Sequence, residues 1–219
     1  TTIKAMMLMT LFAACNAPKE GACDEFEYND ERFADLQMLR YRVDGFDELT
    51  LRQKTFIYYL QEAALWGRDI LWDQNGKYNL RIRKTLEAIY QSEGVDKSTE
   101  DWKAFEVYLK RVWFSNGIHH HYGCEKFVPG FSQEWFAKAA ETAGVGEGLE
   151  EIREVMFNPA VMAKRVNLAE GEDLVLTSAS NYYDGVTQAE AEAFYEKLKA
   201  TGDQQRPVMW GMNSRLVKT

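Results

Sequence analysis

Apolar residues recur at helical spacing along the first two thirds of the chain. The strongest example covers residues 47–73, where Thr50 and Gln53 have the Ser/Thr-x-x-Glu/Gln form of a capping box. In such a box the hydroxyl accepts a hydrogen bond from a free backbone amide, and the glutamine side chain reaches back to the cap. Phe56, Leu60 and Ala63 follow at helical spacing. The pattern therefore predicts a long first helix.

Four further helices are predicted downstream. Their approximate ranges are residues 78–92, 100–116, 133–142 and 148–157. Glu100 and Asp101 place negative charge at the positive end of the third helix. Ser132 can cap the fourth, and Pro159 ends the fifth because the residue before a proline is pushed out of the helical region.

The pattern changes after Pro159. Residues 173–178 carry a run of apolar and hydroxyl side chains that predicts a strand. Thr187 and Glu190 form a second capping box, which opens a helix through Leu198. Residues 207–212 and 215–217 are predicted strands. The expected fold class is therefore α+β, with a mainly helical N-terminal part followed by mixed strands and helix.

The first 25 residues have the pattern of a bacterial export signal. Lys4 precedes ten uncharged residues, 5–14, a stretch too short to span a bilayer but typical of a signal peptide. Residues 11–15 end in Ala-Ala-Cys and resemble a lipobox. We therefore expect residues 1–14 to be removed, Cys15 to carry lipid and residues 15–25 to form a polar tether. The alternative is a buried N-terminal helix with an incidental cysteine.

Composition and charge narrow the set of partners. The net charge is −8 and lysines and arginines are not clustered, which argues against a nucleic-acid partner. Aromatic residues make up 13% of the chain, which favours either large packed side chains or a groove for an extended ligand. Asn181, Tyr182 and Tyr183 offer amide and phenol groups that could line a cleft, although buried aromatic packing would explain them equally well.

The chain has only three histidines, and they are consecutive: His119, His120 and His121. Neighbouring side chains in regular structure point in different directions, so the three cannot converge on one ion. We expect a loop after a helix C-terminus, where protonated histidines would suit the helix dipole. Cys23 and Cys124 lack the spacing of a metal site and are treated as unpaired.

Several long runs resemble one known family. They cover residues 33–41, 45–50, 67–70, 78–86, 111–122, 126–129 and 211–216. The most specific is the run from Arg111 to Tyr122, which contains the three histidines. Together these runs, within residues 26–219, resemble the N-terminal third of the bacterial dipeptidyl peptidase III family of zinc metallopeptidases.

The resemblance implies a two-lobed enzyme with a wide cleft that releases dipeptides from the N-terminus of oligopeptides. The family holds zinc through an HExxGH motif and a later glutamate, and this chain contains no HExxGH. We therefore carry over no catalytic, metal or cofactor-binding residue. We expect an incomplete part of the lower lobe, continuing past Thr219 and inactive alone, in an exported lipoprotein anchored at the periplasmic or outer surface. The alternatives are a non-catalytic helical lipoprotein that binds peptides or glycans, and an interaction subunit that docks on a separate catalytic chain.

Overall fold

The computed structural model describes residues 26–201 and 215–218. The chain divides into two compact units, Thr1–Glu48 and Leu49–Thr219. The described residues form a mainly helical fold with two small two-stranded sheets. The broad expectation of a mostly helical α+β chain is confirmed.

The first unit contains a β-hairpin that the sequence pattern did not predict. Strands β1 (Asn29–Phe33) and β2 (Leu36–Leu39) pair antiparallel, with Phe33 opposite Leu36. The turn between them has two residues, and Ala34 adopts a φ of 49°. Two-residue hairpin turns favour such positive φ values because their twist matches that of the strands. A short 3₁₀ helix follows at Phe46–Glu48.

The second unit begins with five helices that match the predicted ones closely. They are α1 (Leu51–Asn75), α2 (Asn79–Gln91), α3 (Glu100–Ser115), α4 (Gln133–Thr142) and α5 (Glu150–Phe157). The capping box at Thr50 is present, and Ser132 caps α4 by accepting from the amide of Trp135. Thr99 caps α3 in the same way. These polar caps explain why the helix starts were predictable.

The hydrophobic core lies among α2, α3, α4 and α5. Its largest fully buried side chains are Phe105, Phe136, Ile82, Leu86, Ile89, Leu109, Ile118, Ile152 and Met156. The ring of Phe105 lies 5.3 Å from that of Trp135 and 5.6 Å from that of Phe131, centroid to centroid. Burying a side chain of this size contributes about 1.5–3 kcal/mol. The four helices are therefore held mainly by one continuous apolar cluster.

Helix α1 contributes little to this core. Of its 25 residues, all of which the structure describes, only Trp72 is buried. Ten of its large apolar side chains are exposed: Leu51, Phe56, Ile57, Tyr58, Tyr59, Leu60, Leu65, Trp66, Ile70 and Leu71. Helix α1 therefore contacts the core mainly through Trp72, near its C-terminal end.

The strand predicted for residues 173–178 is wrong. The structure has a one-turn helix there, α6 (Leu174–Thr177). The Asp173 carboxylate accepts from the amides of Val175 and Leu176, both at 2.9 Å. An aspartate cap of this kind satisfies amides that a strand would have needed to pair elsewhere. The apolar run alone could not reveal this.

Among the remaining elements, the helix opened by Thr187 and the strand at residues 215–217 agree with the prediction where they are described, whereas the strand at residues 183–184 was not predicted. Strand β3 (Tyr183–Asp184) pairs parallel with β4 (Leu216–Val217), and α7 spans Gln188–Thr201. The Thr187–Glu190 capping box is present. The strand predicted for residues 207–212 lies outside the described residues, as do Cys15, Cys23 and the residues of the expected signal peptide and tether. Within the described ranges, no helix is both long enough and apolar enough to cross a bilayer.

Candidate functional site

A cavity of about 390 Å³ lies beside the C-terminal half of α1. Its lining residues are Asp69, Ile70, Asp73, Gln74, Leu80, Asn181 and Arg215. Asn181 is one of the three residues that the sequence suggested for a cleft wall. The cavity is therefore the place where a predicted site residue meets other polar side chains.

Backbone contacts hold Asn181 in this position. Its amide donates to the carbonyl of Gln74 at 2.9 Å, which joins the segment after α6 to the end of α1. The Asp173 carboxylate, which caps α6, also accepts from the amide of Gln188 at 3.0 Å and so ties α6 to α7. These amide hydrogen bonds, those of Leu176 and Gln188 first, lower the pKa of Asp173. The carboxylate is thereby kept charged as an anchor between the two helices.

The electrostatics of the cavity favour a positively charged or hydrogen-bond-donating group. Asp69 pairs with Arg83 at 3.0 Å, and Arg215 pairs with Asp184 at 3.1 Å. The Asp73 carboxylate has no hydrogen-bond or ion-pair partner among the residues that the structure describes. An ammonium or amide group entering the cavity could therefore bind Asp73 and the Asn181 side chain.

The two tyrosines beside Asn181 do not line this cavity. Tyr182 is partly exposed, and its carbonyl accepts from the amide of Leu216 in the small parallel sheet. Tyr183 is half-buried; burial and the neighbouring Tyr195 raise the pKa of its phenol. Of the three suggested cleft residues, the structure therefore places only Asn181 at the cavity.

The histidine run forms a loop after α3, as expected, but the expected protonation is wrong for His119. This side chain is buried, and its Nε2 donates to the carbonyl of Met162 at 2.7 Å. Burial, with the positive charges of Lys126 and Arg165, lowers the pKa of His119 to about 4. The imidazole is therefore neutral at pH 7, and its role is to join the loop to the segment after α5.

The other two histidines do not turn the loop into a metal centre. Nδ1 of His120 accepts from the amides of Tyr122 and Gly123 at 3.2 and 3.0 Å. Burial and the neighbouring His120 lower the pKa of His121. In the described part of the chain, no three His, Cys, Asp or Glu side chains are grouped so that they could hold a metal ion. The described residues thus do not fit the zinc ion that the family resemblance implies for the complete enzyme.

The sequence did not single out three of the charged residues at the cavity, Asp69, Asp73 and Arg215. A signal existed for the first two, because residues four apart on a helix lie on the same face. Arg215 gave no comparable signal, since it comes from beyond α7 and its position depends on the pairing of β4 with β3. Cys124, treated as unpaired, is a free thiol.

No model of a known protein family matches the chain, and no curated protein matches it.

Proposed function

We propose that this chain is the N-terminal portion of a zinc-dependent exopeptidase of the dipeptidyl peptidase III type, which releases dipeptides from the N-terminus of oligopeptides. The support is the set of long runs named above, of which residues 111–122 are the most specific. The residues belong to the lower lobe of the two-lobed enzyme. The zinc ion is held by a motif in the portion that follows.

The observation that carries the proposal is the exposure of α1. A helix that carries large exposed apolar side chains on several sides is normally covered by other protein. Only Trp72 of α1 is buried here, while Trp66 is 89% exposed. The proposed complete enzyme is roughly three times as long as this chain, and its remaining residues would cover α1.

The cavity beside α1 gives the proposal a place for substrate. Asp73 and Asn181 contribute a carboxylate and an amide to its lining, groups suited to the amine and backbone amides of a peptide. The cavity forms part of one wall of the cleft in this proposal. Its role is to position the peptide, while the chemistry takes place on the missing portion.

A direct test is the activity of the purified chain. We expect no release of the chromophore from a dipeptidyl-arylamide, with or without added zinc. Release that is zinc-dependent and lost on chelation would contradict the proposal that the catalytic motif lies outside this chain. The reading frame downstream of Thr219 provides the second test, because the proposal requires it to continue into HExxGH.

The proposal includes export and a lipid anchor at Cys15 on the periplasmic or outer surface. In this proposal the protein is held at the membrane by its lipid anchor, and it has no nucleic-acid partner. Intact-mass analysis of a membrane fraction tests this part. We expect a chain that begins at a lipid-modified Cys15, and an unmodified Cys15 with residues 1–14 retained would contradict it.

A second candidate is a non-catalytic helical lipoprotein that binds peptides or glycans. The exposed aromatic side chains of α1, including Tyr58, Tyr59 and Trp66, favour it because such rings form ligand-binding surfaces. Calorimetry with short peptides and oligosaccharides separates the two candidates. Binding that disappears in a Trp66→Ala variant would favour the second.

A further inference from the structure

The exposed apolar residues of α1 form three rows. Tyr59 and Trp66 make one row, Leu60 and Leu71 a second, and Tyr58 and Leu65 a third. With 3.6 residues per turn, these rows point in directions about 120° apart around the helix axis. All six side chains are exposed. The helix thus lacks a single apolar face and needs cover on several sides.

This distribution decides between the possible occupants. An identical helix from a second copy would pack along one row and leave the other two exposed. A bilayer surface would likewise cover one side, and it favours a helix with one strongly polar face. Glu62 and Arg68 lie in the middle of α1, and no described helix can cross a membrane. A folded polypeptide that surrounds the helix is the occupant that fits.

Charges at the two ends of the helix define the chemistry of that polypeptide. Arg52, Tyr59, Trp66 and Asp73 are spaced seven residues apart and so follow one line along α1. The Arg52 guanidinium and the Asp73 carboxylate have no ion-pair partner among the described residues. The complementary surface therefore carries an acidic group near Arg52 and apolar side chains beside Tyr59 and Trp66, whereas Asp73 lines the cavity and remains available to a ligand.

The same surface borders the candidate site. Asp73 and Ile70 line the cavity that contains Asn181, and Ile70 is also one of the exposed apolar residues of α1. A polypeptide seated along α1 would therefore contact residues that line this cavity.

We propose, on the basis of the proposed function, that the catalytic portion of the enzyme packs around α1 and thereby completes the cavity at Asp73 and Asn181. Helix α1 is then an interior helix of the complete enzyme. Its N-terminal end contacts an acidic group of the catalytic portion, while Asp73 at its C-terminal end lines the cavity and binds the peptide.

The experiment compares the 219-residue chain with the complete enzyme by hydrogen exchange. We expect the amides of α1 to exchange at least on the order of 100-fold more slowly in the complete enzyme, because burial converts local opening into opening of a larger unit. Leu71→Glu should lower the Tm of the complete enzyme by about 5 °C or more, yet shift that of the 219-residue chain by less than about 2 °C. Leu168→Glu, the same change at an exposed leucine outside the resemblance runs, is the matched control and should shift neither. Trp66→Glu repeats the test on a second row of α1.

The outcomes separate this inference from the proposed function. A complete enzyme with chelator-sensitive dipeptidyl peptidase activity, but with α1 exchanging as fast as in the 219-residue chain, overturns the inference alone. Protection of α1 without such activity overturns the proposed function and the occupant named here. A discrete dimer of the 219-residue chain that Trp66→Glu converts to monomer assigns the helix to a second copy. Trp66-dependent binding to phosphatidylglycerol vesicles assigns it to lipid, and either result overturns the inference.

Discussion

Helices α1 and α3 resemble each other in composition and in their N-caps, but α3 is buried in the core and α1 is largely exposed. Both begin at a threonine cap and both are rich in aromatic and aliphatic side chains. Helix α3 buries Trp102, Phe105, Tyr108, Leu109 and Val112, whereas α1 buries only Trp72. Apolar content therefore does not determine which helix enters the core.

The difference lies in how each helix arranges its charges. On α3, Lys103 pairs with Glu100 and Lys110 with Glu106, so the charged residues stay together away from the core. On α1, apolar residues occupy three sides and the charged residues are spread along the length. A helix with one apolar face can be satisfied by neighbours in its own small unit, while a helix with three requires a larger assembly.

The largest expected effect contrasts one phenylalanine from each helix. Phe105→Ala on α3 removes a fully buried ring and should lower the free energy of unfolding by about 3–5 kcal/mol. Phe56→Ala on α1 removes an exposed ring and should change it by less than about 0.5 kcal/mol in the 219-residue chain. Urea denaturation followed by circular dichroism measures both.

Equal losses of unfolding free energy in Phe105→Ala and Phe56→Ala would contradict the difference between the two helices. They would mean that α1 is already covered in the 219-residue chain, for example by self-association. Repeating the Phe56→Ala measurement over a range of protein concentrations identifies that case, because a loss that depends on association grows with concentration.

The helices were predictable because their signals are local. A threonine or serine cap and the spacing of apolar residues act within a few positions. The starts of α1 and α4 follow from Thr50 and Ser132, and that of α3 from Glu100 and Asp101. The prediction failed at residues 173–178, where the five apolar or hydroxyl side chains of residues 174–178 show no helical period. Asp173 decides that segment by binding amides of both α6 and α7, a contact 15 residues along the chain.

The candidate site was less predictable for the same reason. The chemistry of Asn181 suggested it as a cleft residue, but its position depends on the hydrogen bond from its amide to the carbonyl of Gln74 at the end of α1. The buried state of His119 depends on Met162, which lies 43 residues later. A single sequence contains no signal for such long-range contacts. It correctly indicated a loop at the histidines and could not indicate that burial would lower the pKa of His119.

A smaller effect on the free energy of unfolding is expected from pH, through the buried side chain of His119. The pKa of His119 is about 4 in the folded chain against 6.5 for an ordinary histidine, so the unfolded state binds more protons between these values. The free energy of unfolding should therefore fall as pH is lowered from 6.5 to 4, by up to about 3 kcal/mol from this group. Above pH 6.5 the contribution is constant.

The measurement is urea denaturation at a series of pH values on the parent chain and on His119→Gln. The variant should lose most of the slope between pH 6.5 and 4. The lowered pKa of His121 leaves a smaller part of it, and carboxylates with lowered pKa values, such as Glu190 and Asp173, still produce a decline at more acidic pH. His120→Gln is the control and should retain most of the parent slope, because the pKa of His119 is lowered by burial and by Lys126 and Arg165, not by His120. A parent-like slope in His119→Gln would show that His119 is not buried as a neutral side chain.

The smallest expected effect concerns the two threonine caps. Thr99→Ala should lower the global free energy of unfolding by about 1 kcal/mol, because α3 is part of the core and its cap accepts from the Trp102 amide at 3.1 Å. Thr50→Ala removes an equivalent cap from α1, whose N-terminal half has no buried side chain. Its effect should therefore appear as faster local hydrogen exchange in the first turns of α1, by about 5-fold, with little change in global unfolding. If Thr50→Ala instead costs as much global stability as Thr99→Ala, the N-terminal half of α1 is coupled to the core, and the contrast between the two helices holds only for their side chains.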